Sequence, residues 1–250
     1  MALLKVLLLL GLGVSVNSDV SLQKRIIGGQ NCDDGERLYH VRVESGNGTH
    51  MSRCVGSLIH PQWILTAAHC WQFGSGWTIV AVLKVHPRTA IQQRQMIQQA
   101  PVIYAHNGRH HDLMLLKLET AIRDVPFARI PDCNNRLKKG YVVQLAGEGA
   151  TTTGPNNERL PPSAPIPAHL QCVDMKVSQV SRSLQTHGHK FLASAPSKDV
   201  CYGDVGGAAM YNGMIYGVIS FGGTDACQRP TAILDVCEYL WWIKHTTGLK

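Results

Sequence analysis

Short runs of apolar residues, many alternating with polar ones, are repeated along most of the chain. Residues 38–45 read LYHVRVES, apolar and polar in turn. CVGSLI (54–59) and WILTAA (63–68) are apolar and flank His60, Pro61 and Gln62. TIVAVLKVH (78–86), DLMLLKL (112–118), YVVQLAG (141–147) and MIYGVISFGG (214–223) follow, with Gly, Pro or Asn between them. Strand-like runs at this spacing predict an all-β barrel or sandwich. Residues 151–169 (TTTGPNNERLPPSAPIPAH) are rich in Pro, Asn and Thr and predict a surface loop. Near the C-terminus Val236, Leu240, Trp241, Trp242 and Ile243 recur at near-helical spacing, which predicts a final helix lying on the body. No internal repeat is visible, and the glutamine-rich stretch at 92–99 is too short to count as low complexity.

The N-terminus changes the picture of where the chain works. MALLKVLLLLGLGVSVNS carries one Lys, an apolar run and small residues at Val16 and Ser18. This predicts a secretory signal over 1–18, cut after Ser18, with a signal anchor as the alternative. No later segment is apolar enough to span a bilayer. Residues 19–25 (DVSLQKR) end in Lys24-Arg25 and precede IIGGQN, which reads as a propeptide with a cut site after Arg25 or as an ordinary linker. Export suits the eight cysteines, an even number, because an oxidising compartment favours bridges. No C-x-x-C pair occurs, so a metal site is not expected. Asn47-Gly48-Thr49 is the one N-x-S/T acceptor, a candidate glycosylation site at Asn47. The formal charge is +7; without residues 1–25 it is 21 basic against 16 acidic side chains, or +5. That excess suits weak attraction to acidic glycans or simply a solvated surface, and nothing in it points to nucleic acid.

Three stretches carry candidate chemistry. TAAHC (66–70) places His69 after an apolar strand; HHDLMLLKL (110–118) places Asp112 at a strand's start; CYGDVGGA (201–208) is a glycine-rich turn. A hydrolytic triad needs a nucleophile, a His to take its proton and a buried carboxylate to fix the His tautomer. The order His, Asp, glycine loop is one of the known triad orders.

With IIGG after Arg25, WILTAAHC, DLMLLKL, GDxGG, ISFGG and the terminal WWIK, the chain resembles the trypsin-like (chymotrypsin family) serine proteases over residues 26–250. The resemblance implies two six-stranded antiparallel β-barrels with a C-terminal helix and a cleft between the barrels. It implies bridges Cys32–Cys172, Cys54–Cys70, Cys133–Cys237 and Cys201–Cys227; the cysteine count alone leaves the pairing open. It also implies that His69 and Asp112 form the catalytic pair and that Gly203 and Val205 supply the oxyanion-hole N–H groups. Asp199, Ser220, Phe221, Gly222 and Thr231 would line the specificity pocket, with Asp199 at its floor. Cleavage behind Arg25 would free an Ile26 ammonium to pair with Asp204.

The departures matter as much. The family's GDSGGP is GDVGGA here: Val205 takes the nucleophile's place and Ala208 the proline's. A valine has no lone pair to attack a carbonyl. Loss of the Ser in a related triad costs about 2 × 10⁶ in rate, leaving roughly 10³–10⁴ over water. The hydroxyls of Tyr202, at the expected cleft rim, and of Ser220 are poor substitutes. Thr231 replaces a pocket-wall glycine and narrows the pocket; Phe221 replaces a cleft Trp; Glu148 sits in a Gly-x-Gly that normally holds Trp; Leu192 stands where a further cysteine is common. Without a nucleophile, His69 and Asp112 also read as a purely structural pair, and Asp199 as an ordinary loop carboxylate.

Three functions compete. The first is a secreted, inactive protease homologue that binds a peptide or protein through its cleft and loops, as a monomer and without a cofactor. The second is an active endopeptidase of trypsin-like specificity using another nucleophile. The third is a basic defence or glycan-binding protein using Arg136, Lys138, Lys139, His187, His189 and Lys190. His106, His110, His111, His187 and His189 lack zinc spacing and read as solvent-facing.

Overall fold

The computed structural model describes residues 26–72, 74, 76–180, 188–221 and 225–250, the Phe221 side chain excepted. The signal, the propeptide, Arg25, His187 and Gly222 lie outside the described residues. In chain order the strands are β1 (Gln30–Asn31), β2 (His40–Gly46), β3 (Met51–His60), β4 (Trp63–Thr66), β5 (Thr78–Leu83), β6 (Gln93–Met96), β7 (Val102–His106) and β8 (Arg109–Lys117). They continue as β9 (Val142–Gly147), β10 (Gln171–Val180), β11 (Lys190–Ser194), β12 (Ala208–Tyr211), β13 (Met214–Phe221) and β14 (Thr231–Asp235), followed by the helix α1 (Leu240–Thr247).

The fold is all-β in two lobes. Strands β9 to β14 form a closed antiparallel barrel in the second lobe, because β9 pairs with both β12 and β10; β1 adds to the outer edge of β10. The first lobe is a seven-stranded sheet in the order β6-β5-β2-β3-β4-β8-β7, whose end strands do not pair with each other. The first of the two expected barrels is therefore an open, curled sheet. Apolar side chains fill both lobes, and the larger cluster runs on from the first lobe to Val218 and Leu234 of the second. Leu58, Ile64, Leu65, Leu113 and Leu115 fill the first. Val143, Val173, Val177, Phe191, Ile219 and Ile233 fill the second. Packing leaves no room at Gly217, where a Cβ would lie 2.3 Å from Ile233 and 2.9 Å from Phe191.

Alternation in β2 located the strand, but most of its polar side chains are buried, Glu44 excepted. His40, Arg42 and Ser45 are buried as fully as Val41 and Val43. Arg42 instead reaches Glu148, just beyond β9 in the second lobe. The 151–169 loop also departs from expectation. Most of it is exposed or half-exposed, yet Arg159 is buried. His111, expected to face solvent, is buried too: its Nδ1 and the Tyr239 hydroxyl share a hydrogen bond (3.0 Å), and Tyr104 packs beside its ring. The C-terminal helix begins as a 3₁₀ turn over Val236–Tyr239 and ends at Gly248, whose φ of 77° suits only glycine readily. Val236 and Ile243 face the core, but Trp241 points outward and stacks on His245.

Three of the four expected bridges form: Cys32–Cys172, Cys54–Cys70 and Cys133–Cys237. The fourth does not. Cys201 and Cys227 are free thiols, the first buried and the second exposed. The chain around both is organised by ions instead. Cys227, at φ 58°, turns its N–H to the Asp199 carboxylate (2.6 Å), and Arg159 donates Nε to the neighbouring Val200 carbonyl (2.7 Å).

Candidate active-site cleft

His69 occupies a short 3₁₀ turn after β4, and the Cys54–Cys70 bridge ties that turn to β3. Asp112 lies within β8. Its Oδ1 accepts both the His69 backbone N–H (3.0 Å) and Nδ1–H (2.8 Å); Oδ2 is 2.9 Å from the same Nδ1. The Ser220 hydroxyl donates to Oδ2 (2.5 Å). Burial alone would push the Asp112 carboxyl up. The hydrogen bond and charge of His69, with the Ser220 hydroxyl, hold it below the usual carboxylate range. An ionised Asp112 that accepts Nδ1–H leaves the lone pair of His69 on Nε2, and the His69 side chain is 46% exposed. A general base with its orienting carboxylate has this geometry.

Val205 lies beside that pair in the fold. Its carbonyl accepts the Val55 N–H (2.8 Å) and sits 4.0 Å from Sγ of Cys70, the residue after His69. Its side chain is sunk in the core at 3% exposure. Tyr202–Asp204 form a 3₁₀ turn, and the Val205 N–H bonds back to the Tyr202 carbonyl (3.3 Å). In the uncut chain the Val205 donor, expected to serve an oxyanion hole, is engaged inside the loop.

The Ile26–Asp204 ion pair is expected only after cleavage behind Arg25; in the uncut chain Ile26 is an internal residue without an ammonium. Ile26 is buried in the second-lobe core. Asp204, fully buried, accepts the N–H groups of Gly149 and Cys201, both at 2.7 Å. Burial pushes its carboxyl up to about 6, against the pull of those two N–H groups. The Asp204 side chain explains the Gly-Glu-Gly stretch. A Cβ at Gly147 would stand 2.0 Å from Oδ1, and one at Gly149 2.6 Å from Oδ2.

Glu148 is fully buried between those glycines and meets two arginines of the first lobe. Arg42 reaches it through Nε (2.7 Å) and Nη2 (2.9 Å), and Arg88 through Nη2 (2.5 Å). Burial works against its charge, but the Arg42 hydrogen bonds and the charges of His40, Arg42 and Arg88 hold the carboxyl down at about 2. His40 beside it is buried with Nε2 unpartnered, and burial lowers its pKa to about 4. The sequence reading missed Arg42, Arg88 and His40. For His40 and Arg42 the signal was a polar alternate in β2, which says on which face a side chain lies but not what covers that face; Arg88, between β5 and β6, carried none.

At the pocket, Asp199 is buried and already saturated. Arg159 pairs with it, and it accepts the N–H groups of Val200 (2.8 Å) and Cys227 (2.6 Å) and the Thr231 hydroxyl (3.3 Å). Thr231, expected as a steric wall, is thus also a donor to Asp199. Ser220 is buried and engaged with Asp112. Of the basic residues proposed for glycans, Arg136 is engaged by Asp235 (2.8 Å) and Glu238 (2.5 Å). Lys190 is half-buried: burial lowers its pKa and the nearby Asp112 charge opposes that. Lys138 and Lys139 are exposed. Among the described residues no helix is long and apolar enough to cross a membrane.

Two lobes of antiparallel strands, with a histidine and a carboxylate meeting beside a glycine loop, define the trypsin-like class of serine protease folds. The chain belongs to the trypsin family: the Trypsin family profile matches residues 26–243. It is 30% identical to Trypsin of Xenopus laevis over 98% of both chains. It is 29% identical to Serine protease 1 of Homo sapiens over 89% of both. Among solved structures it resembles neuropsin, a serine protease expressed in the limbic system of mouse brain, with a TM-score of 0.68 over 87% of this chain and 98% of that one, at 24% identity. A structure of GrC gives a TM-score of 0.72 over 89% and 100%, also at 24% identity.

Proposed function

We propose that this chain is a secreted member of the trypsin family without peptidase activity, which binds a peptide or protein ligand through its cleft and loops. The observation that carries the reading is Val205. In the family's place for the nucleophile stands a buried isopropyl group, with nothing to form an acyl bond. His69 and Asp112 keep the base geometry, which is what an active endopeptidase would need. Yet the base has no hydroxyl or thiol to deprotonate at the position the family uses. The engaged Val205 N–H and the occupied Asp199 point the same way. Three disulfides and the N-terminal apolar run support export; the 19–25 segment and Arg25 are its propeptide and cut site. Asn47, whose Oδ1 caps the β2–β3 turn by accepting from Thr49 and His50, is the glycan acceptor.

The test uses the purified chain, intact and cut after Arg25. It is treated with a fluorophosphonate probe and assayed on arginine and lysine esters. No adduct and no hydrolysis above the uncatalysed rate are expected. A covalent adduct on either form, or trypsin-like turnover, overturns the reading.

A further inference from the structure

The carboxylate at the pocket floor faces a cation of the chain's own. Asp199 and Arg159 are each 2% exposed, so their pair is shielded from solvent. Arg159 is held at a second point, Nε to the Val200 carbonyl at 2.7 Å, and Asp199 takes three further donors from Val200, Cys227 and Thr231. The guanidinium arrives from a loop fastened to the pocket's wall. Asn157 Nδ2 donates to the Ala226 carbonyl and the Ala226 N–H to the Asn157 carbonyl, both at 3.0 Å. Bridges join Glu158 to Asp225 and Thr153 to Arg159. Asn156 and Asn157 both adopt left-handed backbone, φ 61° and 63°, a conformation asparagine tolerates better than most residues. This double turn reverses the strap before Arg159, which is buried while its neighbours Glu158 and Leu160 are not.

We propose that Arg159 is the resident occupant of the Asp199 pocket, which makes the pocket a guanidinium site filled from within. The inference rests on the reading of Asp199 as the floor of the cleft's pocket. An amidinium or guanidinium ligand enters only when the 151–169 strap withdraws Arg159. Removing one partner of a buried ion pair leaves a costly uncompensated charge, so the ligand's cation takes Arg159's place and does not bind beside it. A partner tethered in the same chain competes at an effective concentration in the millimolar range or higher, on the order of what a short linker provides. The intact protein is therefore closed to the basic side chains that an acid at this position would otherwise attract.

Benzamidine, a planar amidinium, tests this by calorimetry on the full chain. Arg159→Ala should bind it at least about thirtyfold more tightly than the unsubstituted protein, the factor expected when a buried charge partner is vacant instead of taken. Uncharged benzamide should bind neither form, and adding Asp199→Asn should abolish the gain. A folded Arg159→Ala variant that binds benzamidine no better than the unsubstituted protein overturns the proposal, as does tight binding by the latter. If Arg159→Ala does not fold alone, refolding with benzamidine supplies the missing cation. Recovery with benzamidine and not with benzamide supports the proposal; recovery with neither overturns it. Fluorophosphonate labelling of the same samples keeps the two readings apart. An adduct would sink the inactive reading whatever benzamidine does, and a benzamidine failure without an adduct would sink only the role of Arg159.

Discussion

At the scale of single residues, Val205 is more than a missing hydroxyl. Its side chain is packed in the core and its N–H is engaged by Tyr202, so in the uncut chain restoring one oxygen atom restores neither the donor for an oxyanion nor an open pocket. Val205→Ser alone should therefore leave arginine-ester hydrolysis at or below roughly 10³–10⁴ over the uncatalysed reaction, the level a triad enzyme keeps without its nucleophile. A steady-state ester assay checks this; turnover near that of a working trypsin would show that the cleft is intact around the valine. The same substitution buries a hydroxyl in an apolar cluster and should lower stability by about 1–3 kcal/mol, read from the denaturant midpoint. The His69–Asp112 pair was legible from two short motifs because its partners come from neighbouring strands of one sheet. Arg159 was not: a lone arginine in a Pro- and Asn-rich stretch looks like any solvated surface cation, and only the path of the backbone reveals that it turns inward.

At the scale of elements, the positions of most strands follow from the alternation of residue types and the turn residues between runs, while their arrangement in two lobes came with the family resemblance. Three cysteine pairings came with the family resemblance and hold. The fourth does not form, and the Cys227 N–H is held instead by Asp199, whose charge partner is Arg159 from a loop distant in sequence. Thiol titration checks the outcome. The native protein should show one reactive thiol, the exposed Cys227, and the denatured protein two. Burial, with the Asp204 charge, pushes the Cys201 thiol well above its usual range, so it reacts only on unfolding. No titratable thiol in the denatured, unreduced protein would mean that the fourth bridge forms after all.

At the scale of the whole molecule, buried ionisable groups give stability a pH dependence with opposing parts. His40 has a folded pKa of about 4 against an ordinary 6.5, so the unfolded chain takes up its proton first as the pH falls. Its contribution is complete above 6.5 and is lost on the way down to 4, up to about 3 kcal/mol. Asp204 runs the other way. Its folded value of about 6 lies above its ordinary 3.8, so its contribution is present below 3.8 and is lost as the pH rises through 6. Replacing His40 by Leu removes only the first part. The unfolding free energy of the unsubstituted protein, less that of the variant, should grow by about 3 kcal/mol between pH 4 and pH 7. Urea titrations across that range read it, and a difference independent of pH would show that His40 is not the buried neutral group described here.

The junction at Glu148 bears on what any ligand meets. The carboxylate belongs to the second lobe, while Arg42 and Arg88 belong to the first, and no water reaches the carboxylate. Prising the halves apart would bare three charges at once, so the groove cannot widen by a hinge at this point. Opening the two lobes at this point therefore carries the penalty of an uncompensated buried charge, which favours one fixed spacing of the groove's banks.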